Sequence, residues 1–166
     1  TSKNHKTGTD RIFEALKKLK IDNIDYVLNL QGDEPGIDIK DIIHLNNLMN
    51  KTNSDIGTLA SKLNNDSDFL NENIVKVLVE KKLDKKNFPI ALNFYRKHNI
   101  ENVENIYHHI GIYAYKVEIL EKFVNLNQTK NEIENSLEQL RALDSGLKIN
   151  VALAESAPIG VDTEED

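Results

Sequence analysis

The chain has 166 residues, no cysteine and a formal charge of −6, with the two signs interspersed. This length fits one domain with a substantial core. The composition excludes a disulfide framework, a thiolate metal site and a cysteine nucleophile, and it suggests neither a basic face for nucleic acid nor the roughly 18-residue apolar run of a membrane span.

The first residues lead straight into a helix start. Thr7-Gly8-Thr9-Asp10 has capping-box-like spacing. Ile12, Phe13, Leu16 and Leu19 then recur at helical intervals, with Lys17, Lys18 and Lys20 in the last turn. Residues 26–30 form a short apolar strand, stopped by Gly32 and Pro35. A helix beginning at Asp38 carries Ile39, Ile42, Ile43, Leu45 and Met49. A strand over 56–63, a short helix or turn over 66–70 and a β-branched strand over 74–80 follow, then a solvated hairpin or loop over 81–86. Further strands are expected over 91–96 and 107–115, and an amphipathic helix over 117–124. A single helix over 133–143 presents Ile133, Leu137 and Leu140, with Gly146 as its C-cap. Residues 147–153 alternate as a half-buried strand, and 158–163 form a loop. Interleaved strands and helices imply one α/β domain over 1–166, with a mostly parallel sheet and an antiparallel part within 74–115. The opening helix entry and the closing Thr163-Glu164-Glu165-Asp166, itself a helix start, read as the cut ends of a longer protein.

Several residues can carry chemistry. Asp33 and Glu34 stand just past the carboxyl end of a strand, where open α/β sheets bind ligands. Carboxylates there suit Mg²⁺ carrying phosphates, or they are ordinary turn residues. Asp162 offers a second oxygen donor from another loop at the same sheet edge, or else caps a helix. Alternation puts His109, Gly111 and Tyr113 on one strand face, where they either hydrogen-bond a polyhydroxylated ligand or fill the rim of the core. Arg96 can pair with a carboxylate or phosphate, or lie on the surface. Glu138 and Gln139 read, from pattern alone, as a solvated helix face.

In combination these pieces have a specific precedent. His5-Lys6-Thr7-Gly8-Thr9-Asp10-Arg11, Gln31-Gly32-Asp33-Glu34-Pro35, Asn73-Ile74-Val75-Lys76-Val77, His109-Ile110-Gly111-Ile112-Tyr113, Leu137-Glu138-Gln139-Leu140-Arg141 and Gly160-Val161-Asp162-Thr163 occur in this order. The sequence resembles the 3-deoxy-manno-octulosonate (KDO) cytidylyltransferases, the CMP-KDO synthetases of lipopolysaccharide synthesis, over essentially its whole length. The resemblance implies a Rossmann-like nucleotidyltransferase fold with a small antiparallel dimerisation part. It implies a cytoplasmic homodimer whose partners are CTP and KDO, with no nucleic acid and no membrane. In the implied reaction the anomeric hydroxyl of KDO attacks the α-phosphorus of CTP, giving CMP-KDO and pyrophosphate. Asp33 and Asp162 then hold Mg²⁺ as the catalytic pair. Gln31 lies near the nucleotide, and Arg96, His109, Tyr113, Glu138 and Gln139 line the sugar pocket.

The chain departs from that pattern in places. The family's Arg- and Lys-bearing triphosphate loop and about its first three strands have no counterpart here. Tyr95 replaces a Ser before Arg96, and Glu164 replaces a Pro. The loop's absence predicts that these 166 residues alone are inactive and poorly stable. Two alternatives follow: a non-catalytic sugar- or nucleotide-binding remnant, and a cytidylyltransferase for a related keto-sugar acid.

Overall fold

A computed structural model describes residues 1–5, 7–32, 36–63, 65–97 and 104–155. The elements run in the order α1 (Gly8–Leu19), β1 (Tyr26–Asn29), α2 (Ile39–Thr52), β2 (Ile56–Ser61), α3 (Asp66–Leu70), β3 (Lys76–Val79), β4 (Ala91–Tyr95), β5 (Ile106–Lys116), α4 (Val117–Val124), α5 (Lys130–Asn135), α6 (Gln139–Asp144) and β6 (Ile149–Leu153). The helix entries expected from sequence are made by the expected caps. Thr7 accepts the Asp10 N–H at 3.2 Å and Asp38 accepts the Lys40 N–H at 2.8 Å.

The six strands form one mixed sheet in the order β4-β3-β5-β2-β6, with β1 also paired to β5. The α/β fold and the antiparallel β3–β4 hairpin are as expected. The pairings refine the expectation of a mostly parallel sheet. β1, β2, β3 and β6 all run one way, but the long β5 lies antiparallel among them, so β2–β6 is the single parallel ladder among the described residues. β1 and β3 share one edge of β5, end to end. β3 pairs along it up to His108, and β1 takes over at Tyr113.

Each sheet face carries its own core. On one side α2 lays Leu45, Leu48 and Met49 against Leu59, Ile110, Ile112 and Ala114. Its outward Ile39 and Ile43 are 69% and 54% exposed, so the apolar stripe of α2 is narrower than its composition suggests. On the other side Tyr107, Tyr113 and Tyr115 pack with Phe94, Leu120, Phe123, Leu137 and Leu140. The alternation along β5 therefore holds.

The expected single helix over 133–143 is two helices. Ser136 adopts a left-handed conformation (φ 52°) that ends α5, and Glu138 starts α6. A continuous helix would separate Glu132 from Arg141 by about 13.5 Å along its axis. The corner instead lets the Arg141 Nε donate to Glu132 Oε2 at 2.8 Å. It also leaves Ile133, expected on the apolar face, 61% exposed. At the far end of α6, Gly146 (φ 74°) sits one position beyond the Ser145 cap; its N–H bonds Leu143 O and that of Leu147 bonds Ala142 O, both at 2.9 Å.

Candidate functional site

Three strands converge on a short stretch of β5. Tyr113 stands in register between Asn29, the last residue of β1, and Thr58 of β2. Lys76, the first residue of β3, pairs with His108. Residues 110–112 thus fall between the carboxyl end of β1 and the amino end of β3. Opposite them, the β2–β5 register slips between Thr58 and Leu59, so that Leu59 pairs with Ile110. A bulge of this kind bends a strand locally and re-aims its side chains.

Two expected sugar-pocket residues flank the bulge on one face. His109 and Tyr113 are 7% and 6% exposed, and their ring centroids lie 5.5 Å apart. Phe94 of β4 meets His109 edge-on at 5.0 Å, while Tyr113 stacks on Tyr115 at 5.8 Å. Burial away from any counter-charge depresses the His109 imidazole from 6.5 to about 3, so the ring is neutral. Burial likewise pushes the Tyr113 phenol well above its usual range, reinforced by Tyr115 and the Glu138 carboxylate.

Glu138 reaches this group from the corner between α5 and α6. Its Oε2 accepts the Thr9 hydroxyl at 2.9 Å, and its Oε1 lies 3.8 Å from Arg141 Nη2. Desolvation raises its carboxyl above the ordinary value against the pull of Thr9, Thr7 and Arg141. Arg141 is itself held by Glu132, whose two oxygens take its Nε and Nη2, both side chains being about 5% exposed or less. Burial alone would raise the Glu132 carboxyl, but hydrogen bonds from Arg141 and Gln128 bring it below its ordinary value. The Arg141 guanidinium also lies 5.0 Å over the Phe123 ring. Gln139 opens α6 half-buried beside Glu138.

Two polar atoms in this group lack a hydrogen-bond partner among the described residues although fully enclosed. They are the Tyr113 hydroxyl and Glu138 Oε1. Buried polar groups are nearly always satisfied, so two such atoms within one cluster call for an explanation.

The other expected residues are placed differently. Arg96 follows the last residue of β4, half-buried, on the face of Phe94. Its guanidinium donates to the Glu72 carbonyl at 3.3 Å instead of entering the His109–Tyr113 group. The buried Lys76 holds the Arg96 carbonyl at 2.9 Å. Gln31 is exposed, two residues past the end of β1. Asp33 and Asp162 lie outside the described residues, as does the loop over 158–163. Among the described residues no group of three His, Asp or Glu can hold a metal. Beside that edge, the buried Asp41 of α2 accepts the Glu155 N–H through Oδ1 and Oδ2 at 3.2 and 3.1 Å. It ties the helix after Asp33 to the segment leaving β6 toward Asp162.

Thr9, Thr58, Tyr115 and the Glu132–Arg141 pair were not singled out from sequence. Thr9 and Arg141 stand inside quoted motifs, yet nothing in their spacing assigned them a role. A threonine in an apolar strand, as at 58, reads simply as a β-former.

Comparison with known proteins bears on this arrangement. The family model described as cytidylyltransferase matches residues 1–149. The chain is 42% identical to the 3-deoxy-manno-octulosonate cytidylyltransferase of Thermodesulfovibrio yellowstonii, covering 100% of this chain and 69% of the relative. It is 40% identical to the enzyme of the same name from Bartonella tribocorum, over 100% of this chain and 68% of the relative. A solved CMP:2-keto-3-deoxy-manno-octonic acid synthetase in complex with CTP superposes with a TM-score of 0.82 at 31% identity, over 98% of this chain and 65% of that one. A 4-diphosphocytidyl-2C-methyl-D-erythritol synthase from Anaerococcus prevotii shares the fold, with a TM-score of 0.56 at 18% identity, over 97% of this chain and 63% of that one. The chain thus spans about two thirds of the length of these proteins. With the model match, the identities and the superposition agreeing, the chain belongs to the cytidylyltransferase family, among the 3-deoxy-manno-octulosonate cytidylyltransferases.

Proposed function

We propose that this protein joins KDO to CTP, releasing pyrophosphate, and that the cluster of His109, Tyr113 and Glu138 is its sugar subsite. The observation that carries this reading is the pair of enclosed polar atoms without a hydrogen-bond partner among the described residues, Tyr113 Oη and Glu138 Oε1. A polyhydroxylated acid supplies what both lack. A sugar hydroxyl donates to the Glu138 carboxylate, and a second hydroxyl exchanges a hydrogen bond with the phenol. The rings of Phe94 and Tyr115, packed against His109 and Tyr113, keep water from competing for those bonds. Arg96 turns from the Glu72 carbonyl to the sugar carboxylate, a charge-assisted exchange. Gln31 and Gln139 complete the ends of the pocket, toward the nucleotide and toward the sugar.

In this reading Asp33 and Asp162 are the residues that would hold a cation, since paired carboxylate oxygens suit a hard divalent ion. Mg²⁺ bound by those carboxylates would supply charge neutralisation for the phosphates. The described residues support a common location for the two carboxylates. β1 and β6 run in the same direction, with β5 and β2 between them. Their ends are therefore separated by roughly 14 Å, three interstrand steps. The seven residues from Glu155 to Asp162 reach up to about 23 Å. The Asp41 hydrogen bonds anchor the start of that reach. A homodimer formed through the antiparallel part within 74–115 belongs to the same reading, with β4 at the outer edge and its Leu92 56% exposed. So does a cytoplasmic location; no helix among the described residues is long and apolar enough to cross a membrane.

The test is pyrophosphate release by the full-length protein given CTP, Mg²⁺ and KDO. The expected result is equimolar pyrophosphate and CMP-sugar, dependent on all three. Tight sugar and CTP binding without release would identify a binding protein instead. Faster turnover of an amino-substituted analogue would move the substrate to a related keto-sugar acid.

A further inference from the structure

The side chain that fixes His109 lies on the neighbouring strand. Thr58 is fully buried, and its Oγ1 sits 2.7 Å from the Ile112 carbonyl oxygen, 3.2 Å from the Ile110 carbonyl oxygen and 3.0 Å from His109 Nε2. The bulge in β5 produces this geometry. Thr58 pairs with Tyr113 and Leu59 with Ile110, so the register shifts across Gly111 and Ile112 and the carbonyls of Ile110 and Ile112 turn toward one hydroxyl.

Proton accounting then decides the tautomer. A carbonyl oxygen only accepts, and a hydroxyl has one proton. Giving it to the imidazole would leave both carbonyl oxygens facing hydroxyl lone pairs, so that proton points at the nearer of the two, Ile112. Toward His109 the hydroxyl can only accept, so the imidazole carries its proton on Nε2 and a lone pair on Nδ1. A second proton is opposed by burial and by the adjacent His108, which hold the ring neutral. Phe94 and Tyr113 pack against the ring at centroid distances of 5.0 and 5.5 Å and restrict its orientation.

We propose that Thr58 is a positioning residue for substrate selection: it locks His109 as the Nε2–H tautomer, so that the imidazole meets the ligand as an acceptor at Nδ1 and selects a hydroxyl over a carboxylate or carbonyl. This rests on the reading of His109 as part of the sugar subsite. It assigns the carboxylate of the sugar acid to a position away from His109.

The experiment has two arms on the full-length protein. Long-range ¹H–¹⁵N correlation spectra of the His109 ring read the tautomer directly, without turnover. The wild-type ring is expected as Nε2–H, and Thr58→Ser, which keeps the hydroxyl, retains that pattern. Thr58→Val, which keeps the shape and loses the hydroxyl, is expected to give mixed tautomers. In steady-state kinetics Thr58→Val raises KM for the keto-sugar acid about tenfold with KM for CTP unchanged, while Thr58→Ser stays within about threefold of wild type. An Nδ1–H ring in the wild type overturns the proposal whatever the fate of Thr58→Val, and so does a Thr58→Val protein with unchanged tautomer and unchanged sugar KM. If the wild-type ring is Nε2–H but His109→Gln leaves the sugar KM untouched, the sugar-subsite reading fails, and ligand selection by this ring fails with it.

Discussion

A buried arginine changes what a single substitution does here. Arg141 and Glu132 are enclosed together, with side chains 4% and 5% exposed, and each satisfies the other. Removing one partner leaves an uncompensated charge in the core, so Arg141→Ala is expected to cost about 3–5 kcal/mol in urea unfolding. The double replacement Glu132→Leu with Arg141→Met recovers part of that loss, since it removes both buried charges but also the bonds that Glu132 accepts from Gln128 and the Thr129 N–H. His109 gives a pH signature of known sign. Its ring takes up a proton near 6.5 in the unfolded chain and near 3 in the fold. Between those values only the unfolded state binds the proton, so this contribution is fully present above pH 6.5 and is lost as pH falls toward 3. His44 and His108, also depressed chiefly by burial, act in the same direction. The drop in urea midpoint from pH 7 to pH 5 is expected to be smaller in His109→Gln than in the wild type. The alternation of β5 made His109 and Tyr113 legible as a pair sharing a face. Thr58 was not legible, because its role depends on a bulge between two strands and no local pattern encodes one.

Helix and strand positions followed the periodicity closely where one cap or one turn set them, as at Thr7, Asp38 and Gly146. The corner at Ser136 escaped that reading. Leu137 and Leu140 keep helical spacing with Ile133 across the break, and what bends the chain there is an ion pair formed nine residues apart. The sheet's pairing was equally hidden, since strand direction can be argued from connections but β5 inserts among its neighbours only through long-range contacts. The packing of α2 on β2 gives a prediction at this level. A Cβ added at Gly57 would lie 2.9 Å from Phe88 Cζ and 3.0 Å from Leu45 Cδ1, and would collide with Met49 Sδ. Gly57→Ala is therefore expected to destabilise by about 1–3 kcal/mol through overpacking. Thermal denaturation checks it, and a compensating Met49→Ala should return part of the loss.

Among the described residues, three co-directional strands, β1, β2 and β6, share a carboxyl edge, and β5 runs antiparallel to them with its tyrosines and His109 on one face. Glu138 arrives from the α5–α6 corner, held by Thr9 at the start of α1. Segments more than a hundred residues apart in sequence thus build one cluster, and six ordered motifs reported its membership without reporting its geometry. The sugar-subsite reading stands or falls on Tyr113, whose hydroxyl has no partner within the described protein. The deciding measurement is the steady-state kinetics of Tyr113→Phe in the full-length protein, alongside its melting temperature. An unpartnered hydroxyl contributes nothing to the fold, so the melting temperature should stay level or rise. KM for the keto-sugar acid should rise about tenfold while KM for CTP holds. An unchanged sugar KM, or an equal rise for CTP and sugar, would contradict the assignment of this cluster to the sugar.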